Sequence, residues 1–369
     1  MAEVSYKPRT PESVEFSKIK DFLNIQLRPN ESWSINQEYP TAICENNIHN
    51  FSIINHPENG RIVSHALMRP FICKTPYAIF KIAAIGSVVT DPEYRNQGFS
   101  RKNILQCLQK AEEQDCDFTI LWSDKHEFYR QFGFELAGFE HAFILSKPQP
   151  LHHAQCKVLK STRIDPRALL KIYNQHTVHS VRTVEDIQAY LQIPQTSIFT
   201  LWTNDNQLLA YAVEGKGADL QNYIHEWGGS VTAVSDLISQ MMTTEQKSYT
   251  LIAPHHSINL ISSLKKYCDS YNEGFLGLIK INQFERLAAK IKKMFLAEGI
   301  SDFICEKKNS EIIYGLKNDL YTLKNENDFV KLVFGPTMIR DLKFMNSEVV
   351  KKLEKVFPLP LWIWGWDSI

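Results

Sequence analysis

Residues 81–134 read KIAAIGSVVTDPEYRNQGFSRKNILQCLQKAEEQDCDFTILWSDKHEFYRQFGF. Lys81 to Thr90 is a mostly apolar, β-branched run that predicts a buried strand, and Asp91-Pro92 ends it. Arg95-Asn96-Gln97-Gly98-Phe99-Ser100 then passes without a break into a helical pattern from Arg101 to Gln114. Asp117 to Trp122 predicts a second buried strand, and Phe128 to Phe134 closes the unit with FYRQFGF. A tight turn from strand into helix leaves the first helical N–H groups without partners at the positive end of the helix dipole, which suits an anion. Gly98 lets the backbone approach a ligand where a Cβ would obstruct it. Ser100 is small, and Arg95 and Arg101 add positive charge, so a pyrophosphate is the natural guest. Taken alone, the loop also fits an ordinary β-to-α turn, because short motifs match by chance.

The wider order narrows the choice. R-x-x-G-x-S at Arg95–Ser100, then a helix, a strand and Y-x-x-F-G-F at Tyr129–Phe134, resembles the GNAT superfamily of N-acetyltransferases. Ser100 stands where that family has Gly or Ala. W-S-D at Trp122–Asp124 followed by F-Y-R-Q-F-G-F is most similar to the Eis-type (enhanced intracellular survival) acetyltransferases. Their S-E-x-x-I-Y-x-R-F-G-Y segment corresponds to Ser123–Phe134, with one extra residue here before Tyr129. The motifs cover the first two-fifths of the chain, and the remainder agrees in layout only.

The resemblance implies an α/β architecture with mixed sheets: tandem GNAT-like folds, then a small sterol-carrier-like α+β domain. It implies acetyl-CoA as co-substrate, with Arg95, Asn96, Gln97, Gly98, Phe99 and Ser100 holding its pyrophosphate. The backbone of Ser87, Val88 and Val89 would pair with the pantetheine arm as an extra strand would, and Ser123 would lie near the same arm. Tyr129 would be the general acid, since a phenol near pKa 10 holds a proton it can give to a leaving thiolate. The carboxylate at Ile369 would take the proton of the amine. Structural readings stand beside these: a packed tyrosine, a strand-end serine and a tail that merely seals a seam. His126 and Glu127 are titratable neighbours that rank behind Ile369 as the base.

With 369 residues the chain predicts two or three domains. The expected units are 1–148, a GNAT-like domain; 149–277, a second and degenerate one; and 278–369, the sterol-carrier-like domain with a docked tail. Hydrophobic residues make up 44% and charged residues 22%, enough apolar material for a large core. Net charge is zero, which gives no general reason to bind nucleic acid or a membrane surface. No apolar run approaches the roughly 18 residues of a spanning helix. MAEVSYKPRTPESVEF lacks the basic start and apolar middle of a signal peptide. The seven cysteines are odd in number and without CxxC spacing, so reduced thiols and a cytoplasmic location are expected. Neither His152-His153 nor His255-His256 has zinc-site spacing, and no metal is expected.

Outward from the central stretch, Val4–Arg9 predicts a strand, and Thr10-Pro11 the start of a helix that buries Phe16, Ile19, Phe22 and Leu23. Asn50–Asn55 and Arg61–Lys74 predict strands joined through Asn59-Gly60. Beyond Pro148 and Pro150 a similar order recurs: helix, strands at 197–203, 208–215 and 220–227, then Gly228-Gly229 and a helix over 231–242. This second turn has no arginine and is expected not to bind CoA. An amphipathic helix over 282–298, strands at 303–305, 311–317 and 328–334, and helices at 338–345 and 347–357 complete the pattern. The tail, PLPLWIWGWDSI, carries three tryptophans in five residues, too much apolar surface to leave in water. The expected activity is acetyl transfer to a primary amine of a small molecule or a lysine. A non-catalytic CoA or lipid sensor and an acyltransferase to a thiol-containing or amino-acid-like molecule are the alternatives. Eis-type relatives assemble into homo-oligomers, and composition does not test that.

Overall fold

The computed structural model describes residues 6–153, 155–342 and 345–369. Helix α1 (Phe16–Leu27) buries Ile19, Phe22 and Leu23, the face the sequence predicts. Its start is fixed differently: the Glu15 carboxylate accepts the Glu12 N–H at 2.9 Å, a box at the preceding turn that makes Thr10-Pro11 unnecessary as the cap. A short helix α2 (Ile35–Glu38) follows. Strands β1 (Phe51–Asn55), β2 (Ile62–Lys74) and β3 (Ile79–Thr90) form one antiparallel ladder. Then come α3 (Phe99–Glu113), β4 (Phe118–Leu121), α4 (His126–Arg130), β5 (Glu135–Ala137) and β6 (Glu140–Leu145). Of the strand expected over Val4–Arg9, residues 4 and 5 lie outside the described residues, and Arg9 makes only an isolated bridge to Ile53.

The second run comprises β7 (Lys157–Lys160), α5 (Pro166–Tyr173), β8 (His179–Ser180), α6 (Val184–Tyr190), β9 (Ser197–Trp202) and β10 (Leu208–Lys216). It continues with β11 (Asp219–Gly229), α7 (Val231–Glu245), β12 (Tyr249–Pro254), α8 (Ile258–Leu264), β13 (Ser270–Gly274) and β14 (Gly277–Ile281). The last run is α9 (Phe284–Ala297), β15 (Phe303–Lys308), β16 (Glu311–Leu316), β17 (Asp319–Leu323), α10 (Glu326–Phe334) and α11 (Ser347–Leu353). Two expectations fail here. Residues 328–334 are helical, because the Asn325 side chain accepts the Asp328 N–H at 2.9 Å and starts a helix that is apolar nearly all round. A short apolar run of this kind has no period that separates a buried helix from a buried strand. Of the helix expected over 338–345, only a 3-10 turn at Ile339–Asp341 forms, and residues 343 and 344 lie outside the described residues.

Two large mixed sheets and one small sheet organise these elements, the tandem GNAT-like arrangement that the resemblance implies. The first runs β1-β2-β3-β4-β14-β5 with β8 on the edge of β2, the second β13-β6-β12-β11-β10-β9-β7, and the third β15-β16-β17. The two large sheets exchange strands. β6, close in sequence to the first, pairs with β12 and β13 of the second. β14 crosses back and sits between β4 and β5, with Leu278 opposite Leu121 on one side and Leu136 on the other. One continuous apolar cluster consequently runs from Phe118 and Ile120 through Phe143 and Leu251 to Phe329 and Trp364.

Candidate active site

Strand β3 and the start of α3 frame a cavity of about 570 Å³. Gly98 takes the left-handed conformation at φ 74° as the N-cap of α3, which explains a glycine there, and no side chain caps the helix. Its first N–H groups are therefore free for an anion. Ser100 is tied inward: its hydroxyl bonds to Thr90 at 2.9 Å, and Thr90 to Ser64 at 2.8 Å. Arg95 reaches the Thr90 carbonyl at 3.3 Å and, with Arg101 and Lys125, makes this wall basic.

Upstream, β3 is broken by a bulge. His65 pairs with Val89 and Leu67 with Gly86, so Ser87 and Val88 together face one residue of β2. Ser87 stands at φ 50°, strained for a residue with a Cβ. The Ser87 carbonyl accepts a bond at 3.0 Å from Nδ1 of His65, whose burial pushes its pKa down to about 4 and keeps the ring neutral. Pairing of β3 with β4 stops at Ala84 and Ile120. The edge beyond is left to a ligand and to the chain's own tail.

The tail fills that place. A Cβ on Gly86 would lie 3.0 Å from Cγ1 of Ile369 and 3.1 Å from its carbonyl carbon. A side chain there would require the tail to give by a few tenths of an ångström. Trp362, Trp364 and Trp366 are buried; the Trp364 N–H donates to the Val178 carbonyl at 3.1 Å, and Trp366 stacks on Tyr190. Asp367 anchors the turn, accepting from Arg182 at 2.7 and 2.9 Å, Ser180 at 2.6 Å, Tyr190 at 3.1 Å and Arg69 at 3.3 Å. Burial disfavours its charge, but Arg182 and Arg69 outweigh burial and hold the carboxyl well below the usual range. Lys216 donates to the carbonyls of Gly365 at 2.8 Å and Ser368 at 2.5 Å, and burial brings its pKa down to about 7.

A second cavity, of about 420 Å³, opens on the other side of the bulge, lined by Ser87, Ile369, Lys216, Trp122 and Glu140 among others. Leu27 lines both cavities, and the neighbours Ser87 and Val88 line one each. Tyr129, on α4, lines the first cavity with only 7% of its surface exposed. Burial raises its pKa, opposed by the Ser123 hydroxyl. A buried phenol, a basic loop and a strand edge thus border one space, and Ile369 borders the next.

A family model for the acetyltransferase (GNAT) domain matches residues 26–137, the segment that holds the loop, the bulge and Tyr129. This segment is similar to a GNAT acetyltransferase domain. The whole chain has the fold of solved proteins of that superfamily. A GNAT-type N-acetyltransferase from Anabaena variabilis superposes at TM-score 0.70 with 14% identity, over 99% of this chain and 100% of that one. Eis1 from Mycobacterium abscessus superposes at 0.64 with 10% identity, over 99% and 100%. A GNAT-type protein from Kribbella flavida does so at 0.63 with 12% identity, over 99% and 98%. No curated protein matches by sequence.

Val88, Val89, Arg95, Asn96, Gly98, Phe99, Ser100 and Tyr129 line one cavity, and Ser87, with Ile369 from outside the matched segment, lines the other. Gln97 and Ser123 line neither. Phe99 is buried, its ring tilted by 33° against that of Tyr6 at 4.8 Å between centroids. Arg101 lies over the Phe132 ring at 5.3 Å. His126 and Glu127 are outside both cavities, and Glu127 is exposed and paired with Arg130. In the second GNAT-like sheet the matching helix α7 is capped by its own Ser230, which accepts the Ala233 N–H at 3.2 Å. The cavity beside it is lined by His176, Trp227 and His256, with no lysine or arginine. Sequence reading missed Glu140, Lys216, Arg28, Tyr39 and Asp219, which come from five elements or loops and share no motif.

Proposed function

We propose that the chain is an acetyl-CoA-dependent N-acetyltransferase. One observation carries the reading: an anion loop with a buried phenol, and a cavity with a free carboxylate, meet across a bulged strand edge. Arg95 and the N–H groups from Asn96 to Ser100 would receive the pyrophosphate, and the Ser87–Val89 edge the pantetheine arm. The amine nitrogen attacks the thioester carbonyl carbon directly; the N–C bond forms and the C–S bond breaks. The Ile369 carboxylate takes the amine proton, and the Tyr129 phenol gives its proton to the leaving thiolate. Burial supports that role, since it keeps the phenol protonated at neutral pH. The acceptor is a primary amine on a small molecule or a lysine.

Thiol release from acetyl-CoA over a panel of amines tests the reading, with wild type beside Tyr129→Phe. The variant keeps the ring and its packing, and kcat should fall ~10²–10⁴-fold with acetyl-CoA affinity retained. Full activity in the variant would remove Tyr129 as the acid. Acetyl-CoA binding with no turnover on any amine would make the chain a sensor.

A further inference from the structure

The cavity that Ile369 borders holds a charge that no side chain answers. Its wall is mostly apolar, with Leu27, Ile35, Trp122, Ile252, Leu276 and Trp362. Three other charged side chains reach it, and each is engaged. Arg28 pairs with Glu38 at 2.7 Å and Asp219 at 3.2 Å; Asp219 also takes the Tyr39 hydroxyl; Lys216 is held by the tail carbonyls. Glu140, the first residue of β6, is half-buried and has no hydrogen bond or ion pair to its carboxylate among the described residues. Its backbone lies opposite Pro254 on one side and Gly274 on the other, so two neighbouring strands fix its place. Burial pushes the carboxyl up to about 7, the mark of lost solvation without a compensating partner. An unpaired carboxylate on an apolar wall is costly, and a ligand cation removes that cost.

We propose that Glu140 anchors the acceptor through a cationic nitrogen, and that the acceptor is a diamine with an apolar or aromatic spacer. This rests on the N-acetyltransferase reading above. The attacking nitrogen must be neutral, so the anchored cation is a second nitrogen; Glu140 serves that one and the Ile369 carboxylate the other, while Asp219 is taken by Arg28 and Tyr39. The apolar wall selects against polyhydroxylated acceptors, whose hydroxyls would be left unpaired there. A cavity of about 420 Å³ suits a compact ligand.

Calorimetry with p-xylylenediamine, benzylamine and benzyl alcohol on wild type and Glu140→Gln decides this without turnover. Wild type should bind the diamine more tightly than the alcohol. Glu140→Gln should lose about tenfold or more for the diamine and leave the alcohol unchanged. Wild-type affinity for the diamine should rise as pH passes up through about 7, where Glu140 gains its charge. The other charged groups that line the cavity are Lys216, Arg28, Asp219 and the Ile369 carboxylate; of these Lys216 loses its proton in the same range, and Arg28, where burial is outweighed by Glu38 and the pKa is raised, does not. A slope that survives in Glu140→Gln belongs to Lys216 and overturns the assignment. Equal diamine affinities in the two proteins, or no diamine binding by wild type, also overturn it. In the transfer assay Glu140→Gln should raise KM for the diamine and leave kcat and the KM of acetyl-CoA in place. If diamines are acetylated with unchanged KM, transfer stands and the anchor falls; if no amine is acetylated, the binding arm still decides Glu140.

Discussion

Gly98 and Gly86 are both glycines beside a ligand space, for different reasons. Gly98 needs its left-handed backbone, and a Cβ there would meet nothing within 4 Å. Gly86 has an ordinary backbone but sits against Ile369, whose Cγ1 a Cβ would meet at 3.0 Å. The difference gives a controlled test of the anion loop. Asn and Asp both tolerate the left-handed region, so Gly98→Asn and Gly98→Asp carry similar strain and differ by one charge. Acetyl-CoA affinity in Gly98→Asp should fall about tenfold or more below that in Gly98→Asn, about 1.4 kcal/mol per decade, by calorimetry at fixed salt. Equal affinities would remove the phosphates from this loop. Gly98 and Tyr129 were legible in the sequence because loop, helix start and tyrosine follow within 35 residues, counted from Arg95 to Tyr129 inclusive. Glu140 and Lys216 were not, because a single charged residue at the end of an apolar strand looks like any solvated strand end until its neighbours are known.

The tail is the element on which the site depends. It is held by the indoles and by the Asp367 cluster, so under the proposed mechanism anchoring and chemistry separate along the eight residues Trp362–Ile369. Deleting Ile369 moves the carboxylate back by about 3.3–3.6 Å of extended chain, beyond hydrogen-bond reach of its former target. Activity should drop while the thermal midpoint stays close to wild type; an active truncated protein would sink the terminal carboxylate as base. Asp367→Ala should instead cost stability: Arg182 keeps its pair with Glu226 at 2.6 Å, but Arg69 is left with an uncompensated buried charge, at a cost of ~3–5 kcal/mol by denaturant unfolding. The sign with pH follows from the depressed pKa of Asp367. Its contribution is complete above the ordinary carboxylate pKa of about 3.9 and drains away only in stronger acid. The gap between wild type and Asp367→Ala should therefore stay constant from neutral pH to about 4. A gap that closes above that would mean the carboxyl titrates normally.

At the scale of the molecule, the exchange of β6 and β14 makes the two large sheets interdependent. Without β14, β4 and β5 have no partner between them, and without β12 and β13, β6 is an unpaired apolar edge. The segment 1–148 expressed alone should be insoluble or molten, with no cooperative unfolding transition and no acetyl-CoA binding. A soluble fragment that unfolds cooperatively would mean that the first sheet closes without the borrowed strand. Trp362 and Trp364 belong to the apolar cluster that joins these sheets. Among the described residues no helix is long and apolar enough to cross a membrane.

The amino-acid sequence by itself determined the strand–loop–helix–strand unit, because each step there is local: β-branched run, Gly98 at the turn, helical period, second strand. It also determined that the tail must dock, since three tryptophans within five residues cannot stay in water. Only the tertiary structure decided where the tail docks, that β14 returns to the first sheet, and that residues 328–334 coil into a helix. The reason is physical. Strand partners, the burial of one carboxylate and the approach of Ile369 to Gly86 arise between segments hundreds of residues apart, and no period or motif along the chain encodes such a distance.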